Sequence, residues 1–236
     1  MAQEMSDEAA APAAPSGLAR RDLVHFVARR LHSLTGVLPI GAFLVEHFYS
    51  NYQAVGPGGQ ERFNGVVQEL QRNPVVIWLE IFFIGLPILY HAGYGLFIAG
   101  QARYNTMGYR YGANWRFALQ RLTGVILIFY IAYHVWMTRL RPVFEPQNFA
   151  QSQGLITYDY MHGYLNERLL FMPTWVFYVV GVVCACFHLA NGLWGFLIHW
   201  GITVGPRAQR LSAYACAGFG IVLAALGLNS LFAFVS

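Results

Sequence analysis

Long apolar stretches separated by short polar connections dominate this chain. Five such stretches lie at about residues 31–50, 74–99, 117–138, 173–200 and 211–235. Each holds roughly 20 or more mostly apolar residues, which is enough for a helix to cross a hydrocarbon layer of about 30 Å. Backbone polar groups in lipid must be satisfied within the segment, and the runs are too continuous for the alternating strands of a barrel. The pattern predicts an all-α membrane bundle of five transmembrane helices.

The beginning of the chain differs from this pattern. Residues 1–17 are rich in Ala and Pro and slightly acidic, and no basic stretch precedes an apolar run there, so the pattern is not that of a secretory signal peptide. We predict a disordered N-terminal tail over 1–17 and one five-helix domain over 18–236. The pair Arg20-Arg21 is not interpreted as a twin-arginine export signal, because further arginines interrupt the sequence before the first apolar run.

Composition agrees with a membrane bundle and excludes several other classes. Hydrophobic residues make up 56% and charged residues 11% of the chain, whereas about a quarter of a typical soluble domain is charged. The net charge of +4, without a basic run, gives no case for nucleic-acid binding. The three cysteines lie in apolar runs and cannot supply a disulfide framework, a zinc site or an iron–sulfur cluster.

Arginine placement predicts the orientation in the membrane. If the side of the N-terminus is called the inner side, ten of the 15 basic residues fall there and five on the outer side. The inner arginines are at positions 20, 21, 29, 30, 103, 110, 116, 121, 207 and 210, and the outer ones at 62, 72, 139, 141 and 168. Cytoplasmic connections carry the excess of positive charge in membrane proteins. We therefore predict a cytoplasmic N-terminus and external connections at 51–73 and 139–172.

Four of the eight histidines lie well inside the apolar stretches, one on each of the first four helices: His47, His91, His134 and His188. His47 and His134 each lie about 24 Å along an outward helix, which places both toward the outer side. His91 and His188 each lie about 23–26 Å along an inward helix, toward the inner side. Ionisable side chains within a membrane are costly and usually functional. Depth therefore sorts the four into an outer pair and an inner pair.

Two imidazoles at one depth on different helices are the arrangement for bis-histidine ligation of a haem. A zinc site favours three or four ligands at one level, and a proton relay favours histidines interspersed with carboxylates. Each histidine as a hydrogen-bonded core residue is the remaining alternative. The pairing favours two b-type haems stacked across the membrane, and the absence of a C-x-x-C-H motif excludes a covalent c-type haem.

Small residues accompany these histidines. His91 and His188 are each followed four residues later by a glycine, Gly95 and Gly192. Residues one helical turn apart share a face, so these glycines are predicted to leave room for a flat macrocycle. The phrase Leu-Thr-Gly-Val also occurs twice, before His47 and before His134, which indicates either a duplicated helix pair or chance similarity; its positions are 34–37 and 122–125.

Two further polar residues are candidates for supporting roles. Glu80 lies on the second helix, 11 residues before His91, so it shares that face at about the level of the outer pair. It is a candidate proton carrier or quinone neighbour, with an ion pair to an arginine such as Arg72 as the alternative. His199 follows His188 at the inner edge and is a candidate neighbour of a haem propionate or an ordinary interfacial histidine.

Several long phrases match one family in order. These are RRLHSLTGVLPIGAFLVEHF (29–48), LEIFFIGLPILYHAGYG (79–95), NWRFALQRLTG (114–124), YHVWMTR (133–139), FHLANGLWGF (187–196) and WGITVGPRAQR (200–210). Over about residues 20–236 the chain resembles the di-haem cytochrome b anchor subunit of succinate:menaquinone oxidoreductases, and it is similar to the di-haem anchors of some fumarate reductases.

The resemblance implies roles for individual residues. His47 and His134 match the ligands of the distal, low-potential haem, and His91 and His188 match those of the proximal, high-potential haem. His32 matches a family histidine that is not a ligand. The family places a menaquinone site near the distal haem, which suits Glu80.

The resemblance also implies partners. An FAD-bearing subunit and an iron–sulfur subunit would dock on the cytoplasmic face, since this sequence has neither a flavin fingerprint nor cluster cysteines. The inner arginines, including those at 103, 110, 116 and 207, are candidates for that docking surface or for haem propionates, or are simply positive-inside residues. A higher oligomer of the heterotrimer is compatible with it.

Three other functions remain open at this stage. The same anchor could serve a quinol:fumarate reductase, with electrons running in reverse. A proton pathway or transporter could use the buried His and Glu side chains without haem. A purely structural anchor without haem is the third, although all four histidine positions are filled here. For the favoured reading we predict a multi-pass protein of the bacterial cytoplasmic membrane that passes electrons to menaquinone.

Overall fold

A computed structural model describes residues 17–102, 108 and 111–236, and most of these residues are helical. Within the described part of the chain, five helices are long and apolar enough to cross a membrane, so the predicted all-α bundle of five transmembrane helices is confirmed. The tail predicted over 1–17 lies outside the described residues, except for Gly17, which begins the first helix.

The five spans consist of the following helices. The first contains α1 (Gly17–Val37) and α2 (Pro39–Tyr52). The second contains α4 (Val76–Leu79), a π-helix (Glu80–Gly85) and α5 (Leu86–Gly100). The third contains α6 (Gly112–Val135), a π-helix (Trp136–Leu140) and α7 (Arg141–Phe144). The fourth is α9 (Thr174–His199) and the fifth is α10 (Pro206–Val235).

Helix α9 lies at the centre of the bundle and packs against α10, α6 and α1. Its buried Val182 and Cys186 meet Phe48 of α2 and Leu223 of α10. The three cysteines are free and buried, as expected for small apolar packing residues. The second span lies at the side of the bundle, where α5 packs mainly against α1.

Short elements cover the outer end of the bundle. They are α3 (Gly59–Arg72), a 3-10 turn (Pro146–Phe149), α8 (Tyr158–Asn166) and the antiparallel pair β1 (Arg168–Leu169) and β2 (Met172–Pro173). We call α3, α8 and the segment between Pro146 and Pro173 the outer cap. Polar contacts join the two connections, with Gln60 donating to Asp159 at 3.0 Å and Arg72 donating to Gln153 at 2.7 Å.

Helix α8 also holds the C-terminal end of α10. The Tyr158 hydroxyl, the His162 Nδ1–H and the Asn166 amide donate to the carbonyls of Ala233, Phe234 and Val235, respectively. The three donors are spaced four residues apart and therefore lie on one face of α8. The last carbonyls of a helix have no partner within it. One face of α8 thus satisfies three carbonyls that the helix itself leaves unpaired.

Candidate haem-binding sites

His47 on α2 and His134 on α6 meet toward the outer side of the bundle. Their ring centroids lie 5.7 Å apart and their planes are inclined by 80°. The two helices belong to the first and third spans and run in the same direction. The structure therefore brings together the two residues that sequence depth assigns to one level.

His91 on α5 and His188 on α9 meet toward the inner side. Their ring centroids lie 6.0 Å apart and their planes are inclined by 79°. The structure thus holds two separate imidazole pairs, each formed by two helices. The role of these four residues as ligands stays a prediction.

The ring separations are compatible with two imidazoles that would share one metal ion. An imidazole nitrogen binds a first-row metal at about 2 Å. Ring centroids 5.7 and 6.0 Å apart leave each pair within reach of a common ion. Imidazole is also a ligand type that suits iron. The donor set and its spacing therefore fit a haem at each level.

Hydrogen bonds on the inner pair engage Nδ1 of each ring and leave Nε2 available to a metal ion. Nδ1 of His91 lies 2.9 Å from the carbonyl of His32, and a carbonyl accepts only. Nδ1 of His188 lies 3.2 Å from the hydroxyl of Thr123, which donates its own proton to the carbonyl of Leu119. Both Nδ1 atoms therefore carry the proton. A metal-bound histidine usually donates its other ring N–H in this way, which fixes ring orientation and tautomer.

The outer pair is held differently. Nδ1 of His134 lies 3.0 Å from the hydroxyl of Tyr178. The side chain of Asn51 donates to the backbone carbonyl of His47 at 2.6 Å and lies 3.4 and 3.5 Å from the two ring nitrogens. The short bond is to the backbone, so the His47 ring nitrogens are only weakly engaged.

Glycines from the repeated phrase lie against the inner pair. A Cβ atom at Gly36 would collide with the ring of His91, and one at Gly124 would lie 3.0 Å from Cε1 of His188. The equivalent glycines of the first and third spans therefore provide the space for the histidines of the second and fourth. Gly95 and Gly192 lie elsewhere: an added Cβ would lie 3.2 Å from the His32 ring at Gly95 and 3.4 Å from the Gln120 amide at Gly192.

His32 is a neighbour of the inner pair that the sequence reading set aside. Its ring stacks on that of His91, with centroids 4.0 Å apart and planes inclined by 10°. Its Nδ1 is buried without a hydrogen-bond partner among the described residues. Helix depth could have predicted this contact. His32 lies at the inner end of the first apolar stretch, and depth places His91 toward the same side.

Glu80 has a partner that was not expected. Nε and Nη2 of Arg139 both lie 2.8 Å from Oε2 of Glu80. The side chain of Glu80 is 31% exposed and that of Arg139 is 41% exposed. The expected alternative of an ion pair to an arginine is therefore present, but with Arg139 in place of Arg72. Arg72 instead bonds Gln153 in the outer cap.

The remaining candidates lie at the inner end. Nδ1 of His199 lies 2.7 Å from the carbonyl of Gly195, and the side chain is at the end of α9. The guanidinium of Arg116 lies 4.8 Å from the ring centroid of Trp194. Arg103 and Arg110 lie outside the described residues.

Comparison with known proteins gives two matches. Residues 105–227 match the model of the succinate dehydrogenase/fumarate reductase transmembrane subunit family. The succinate dehydrogenase cytochrome b558 subunit of Bacillus subtilis (strain 168) is 42% identical over 210 residues, which cover 89% of this chain and 97% of that protein. The similarity thus extends over most of the chain.

Proposed function

Because this chain belongs to the family of succinate dehydrogenase/fumarate reductase transmembrane subunits, we propose that it binds two b haems and passes electrons through them to menaquinone. Its family makes it a multi-pass membrane anchor of a succinate dehydrogenase complex. The observation that supports two haems is the presence of two imidazole pairs, with centroids 5.7 and 6.0 Å apart. The proposed location is the bacterial cytoplasmic membrane, with the N-terminus inside.

Four histidines of this chain would hold the two groups. His91 and His188 would serve the inner haem, and His47 and His134 the outer haem. His91, His188 and His134 would bind through Nε2, since their Nδ1 atoms are hydrogen-bonded. The chemistry supplied by the bound haems is one-electron transfer between the partner subunits and the quinone. The chain orients the ligand rings through their hydrogen bonds, and its apolar helices exclude water from around them.

The chemistry of succinate requires partner subunits. The sequence has no G-x-G-x-x-G phosphate-binding phrase and three dispersed cysteines, so flavin and iron–sulfur chemistry belong to other chains. We place the flavoprotein and iron–sulfur subunits at the inner face, nearest the His91/His188 pair. Arg116 and Arg207 lie at that end and are candidates for the contact.

The quinone site is placed on the outer side, near the Glu80–Arg139 pair. The two side chains are partly exposed and lie on the spans that carry His91 and His134. Arg139 offers N–H donors for a quinone carbonyl, and Glu80 offers a carboxylate that can receive and release a proton. His199, at the inner end, is proposed only as a neighbour of an inner haem propionate.

A reduced-minus-oxidised optical spectrum of the purified complex tests this function. We expect b-type absorption, two haems per copy of this chain, and reduction of both by succinate when the partner subunits are present. Menaquinone should then reoxidise both haems. The absence of haem absorption from the assembled complex would refute the proposal.

A further inference from the structure

Two buried tyrosine hydroxyls continue the hydrogen bond on His134. The Tyr178 hydroxyl lies 3.0 Å from Nδ1 of His134, and the Tyr164 hydroxyl donates to the Tyr178 oxygen at 2.9 Å. Tyr178 and Tyr164 are each 4% exposed. The three side chains come from α6, α9 and α8, so the contact runs from a span to the outer cap.

The chemistry of the ring decides what this contact does. If Nε2 of His134 binds iron, Nδ1 carries a proton and donates it to the Tyr178 oxygen. An acceptor at this position increases electron donation by the imidazole, which stabilises the oxidised metal. It also fixes the rotation of the ring about its Cβ–Cγ bond.

We propose that Tyr178 and Tyr164 are positioning residues that hold His134 and lower the reduction potential of the outer haem. This inference rests on the proposed function, because it assumes that His134 is a ligand. Tyr178 accepts from Nδ1, and Tyr164 holds the Tyr178 oxygen in place. An external helix thereby influences the electronic state of a site within the membrane.

The surroundings favour a strong effect. Both tyrosines belong to a buried apolar cluster with Met137, Met161 and Leu165, and hydrogen bonds are electrostatically stronger in such a medium than in water. Burial raises the pKa of the Tyr164 hydroxyl well above its ordinary value. The Tyr164 hydroxyl is therefore a neutral donor at neutral pH.

The first test is a redox titration of each haem in the complete complex carrying Tyr178→Phe. Loss of the acceptor should raise the reduced-to-oxidised ratio of the outer haem at a fixed potential by about threefold to tenfold, as expected for one buried hydrogen bond. A tenfold change corresponds to about 59 mV for a one-electron couple. The inner haem should keep its potential, since Tyr178 contacts His134 and not the inner pair.

Two further variants separate tuning from packing. Tyr164→Phe should shift the outer haem in the same direction but by less, because it loosens the Tyr178 oxygen without removing it. Tyr158→Phe is the matched control. It also removes a tyrosine hydroxyl from α8, but that hydroxyl bonds the carbonyl of Ala233. Thr123→Val, which removes the acceptor on His188, should shift the inner haem alone.

The outcomes are distinguishable from failure of the proposed function. If the wild-type complex holds no outer haem, the proposed function itself is wrong. If it holds both haems and Tyr178→Phe leaves the outer potential unchanged, the tuning role is overturned. Should Tyr178→Phe fail to retain the outer haem, Tyr164→Phe decides: a smaller rise supports the proposal, and an unchanged potential overturns it.

Discussion

The ring of His91 is confined on two sides, by the bare Cα of Gly36 and by the stacked ring of His32. His188 has an equivalent neighbour in Gly124. These contacts leave little freedom for either imidazole. Ring placement at the inner level therefore depends on the absence of a methyl group at two positions.

Substituting these glycines should disturb the inner haem specifically. We expect Gly36→Ala to displace the His91 ring, and Gly124→Ala to displace His188 by a smaller amount, because its added Cβ has slightly more room. Each complex should lose inner haem while keeping the outer haem, as measured by haem content and by redox titration of the two components.

Gly93→Ala provides the control for these variants. Gly93 lies on α5, is exposed, and has nothing within 4 Å of an added Cβ. Replacing an exposed glycine within a helix by alanine stabilises it by about 1 kcal/mol, so haem content should be unchanged. A normal inner haem in Gly36→Ala would contradict the proposal that Gly36 makes room for the His91 ring.

Removal of a ligand should affect one level only. We expect His47→Ala to reduce the haem content from two to one and to abolish menaquinone reduction, because His47 is one of the two residues proposed to hold the outer haem. The inner haem should still be reduced by succinate. Loss of the inner haem alone would refute the pairing.

Sequence reasoning works well for some residues and poorly for others. The constant rise of a helix converts residue number into depth, and the two pairs follow from it. Depth says nothing about rotation of one helix against another, so the contacts of Gly36 with His91 and of Glu80 with Arg139 required the structure. The repeated Leu-Thr-Gly-Val phrase marked the two glycines without revealing that they face histidines of the following span.

At the scale of elements, two π-helices carry the two partners of one ion pair. Glu80 begins the π-helix of the second span, and Arg139 lies in that of the third. A π-helix inserts an extra residue per turn and redirects the side chains that follow it, and such turns are frequent at functional sites. Periodicity in the sequence did not predict either of them, since one extra residue hardly alters an apolar run.

The Glu80→Gln variant tests this arrangement. If the carboxylate moves a proton for the quinone, its loss should slow menaquinone reduction by about tenfold or more. Both haems should still be reduced by succinate. Retained reduction of both haems by succinate would show that the complex is still folded and assembled. Steady-state quinone reduction and haem reduction by succinate are the two measurements.

Glu145→Gln is a matched control because Glu145 also pairs with an arginine on the outer side, Arg141 at 2.9 Å. The variant should leave quinone reduction unchanged. Equal rates of menaquinone reduction in Glu80→Gln and the wild type would show that Glu80 has no role in the quinone site.

At the scale of the whole molecule, the excess of arginine on one side predicts orientation. Single cysteines can test it, because the three native cysteines are buried. A membrane-impermeant maleimide should label Gln147→Cys in spheroplasts and Ile202→Cys only after the cells are opened. Both positions are exposed, one in the outer cap and one between α9 and α10. The reverse labelling pattern would show that the protein has the opposite orientation.

The five spans were predictable because membrane crossing demands length and apolarity, which composition shows directly. The contacts within the outer cap were not predictable from the sequence. Its polar contacts, such as Asn64 accepting from the backbone N–H of Tyr158 at 2.8 Å, join residues 94 positions apart. Single residues in short polar connections carry no periodic signal for such a pairing.

The attachment of α8 to the end of α10 has a consequence for biogenesis. In the predicted orientation, the donors Tyr158, His162 and Asn166 enter the external space before their acceptors, which come at the far end of the fifth span. These three bonds then form only after the fifth span has crossed the bilayer. We therefore expect the outer cap to resist externally added protease only in molecules whose insertion is complete.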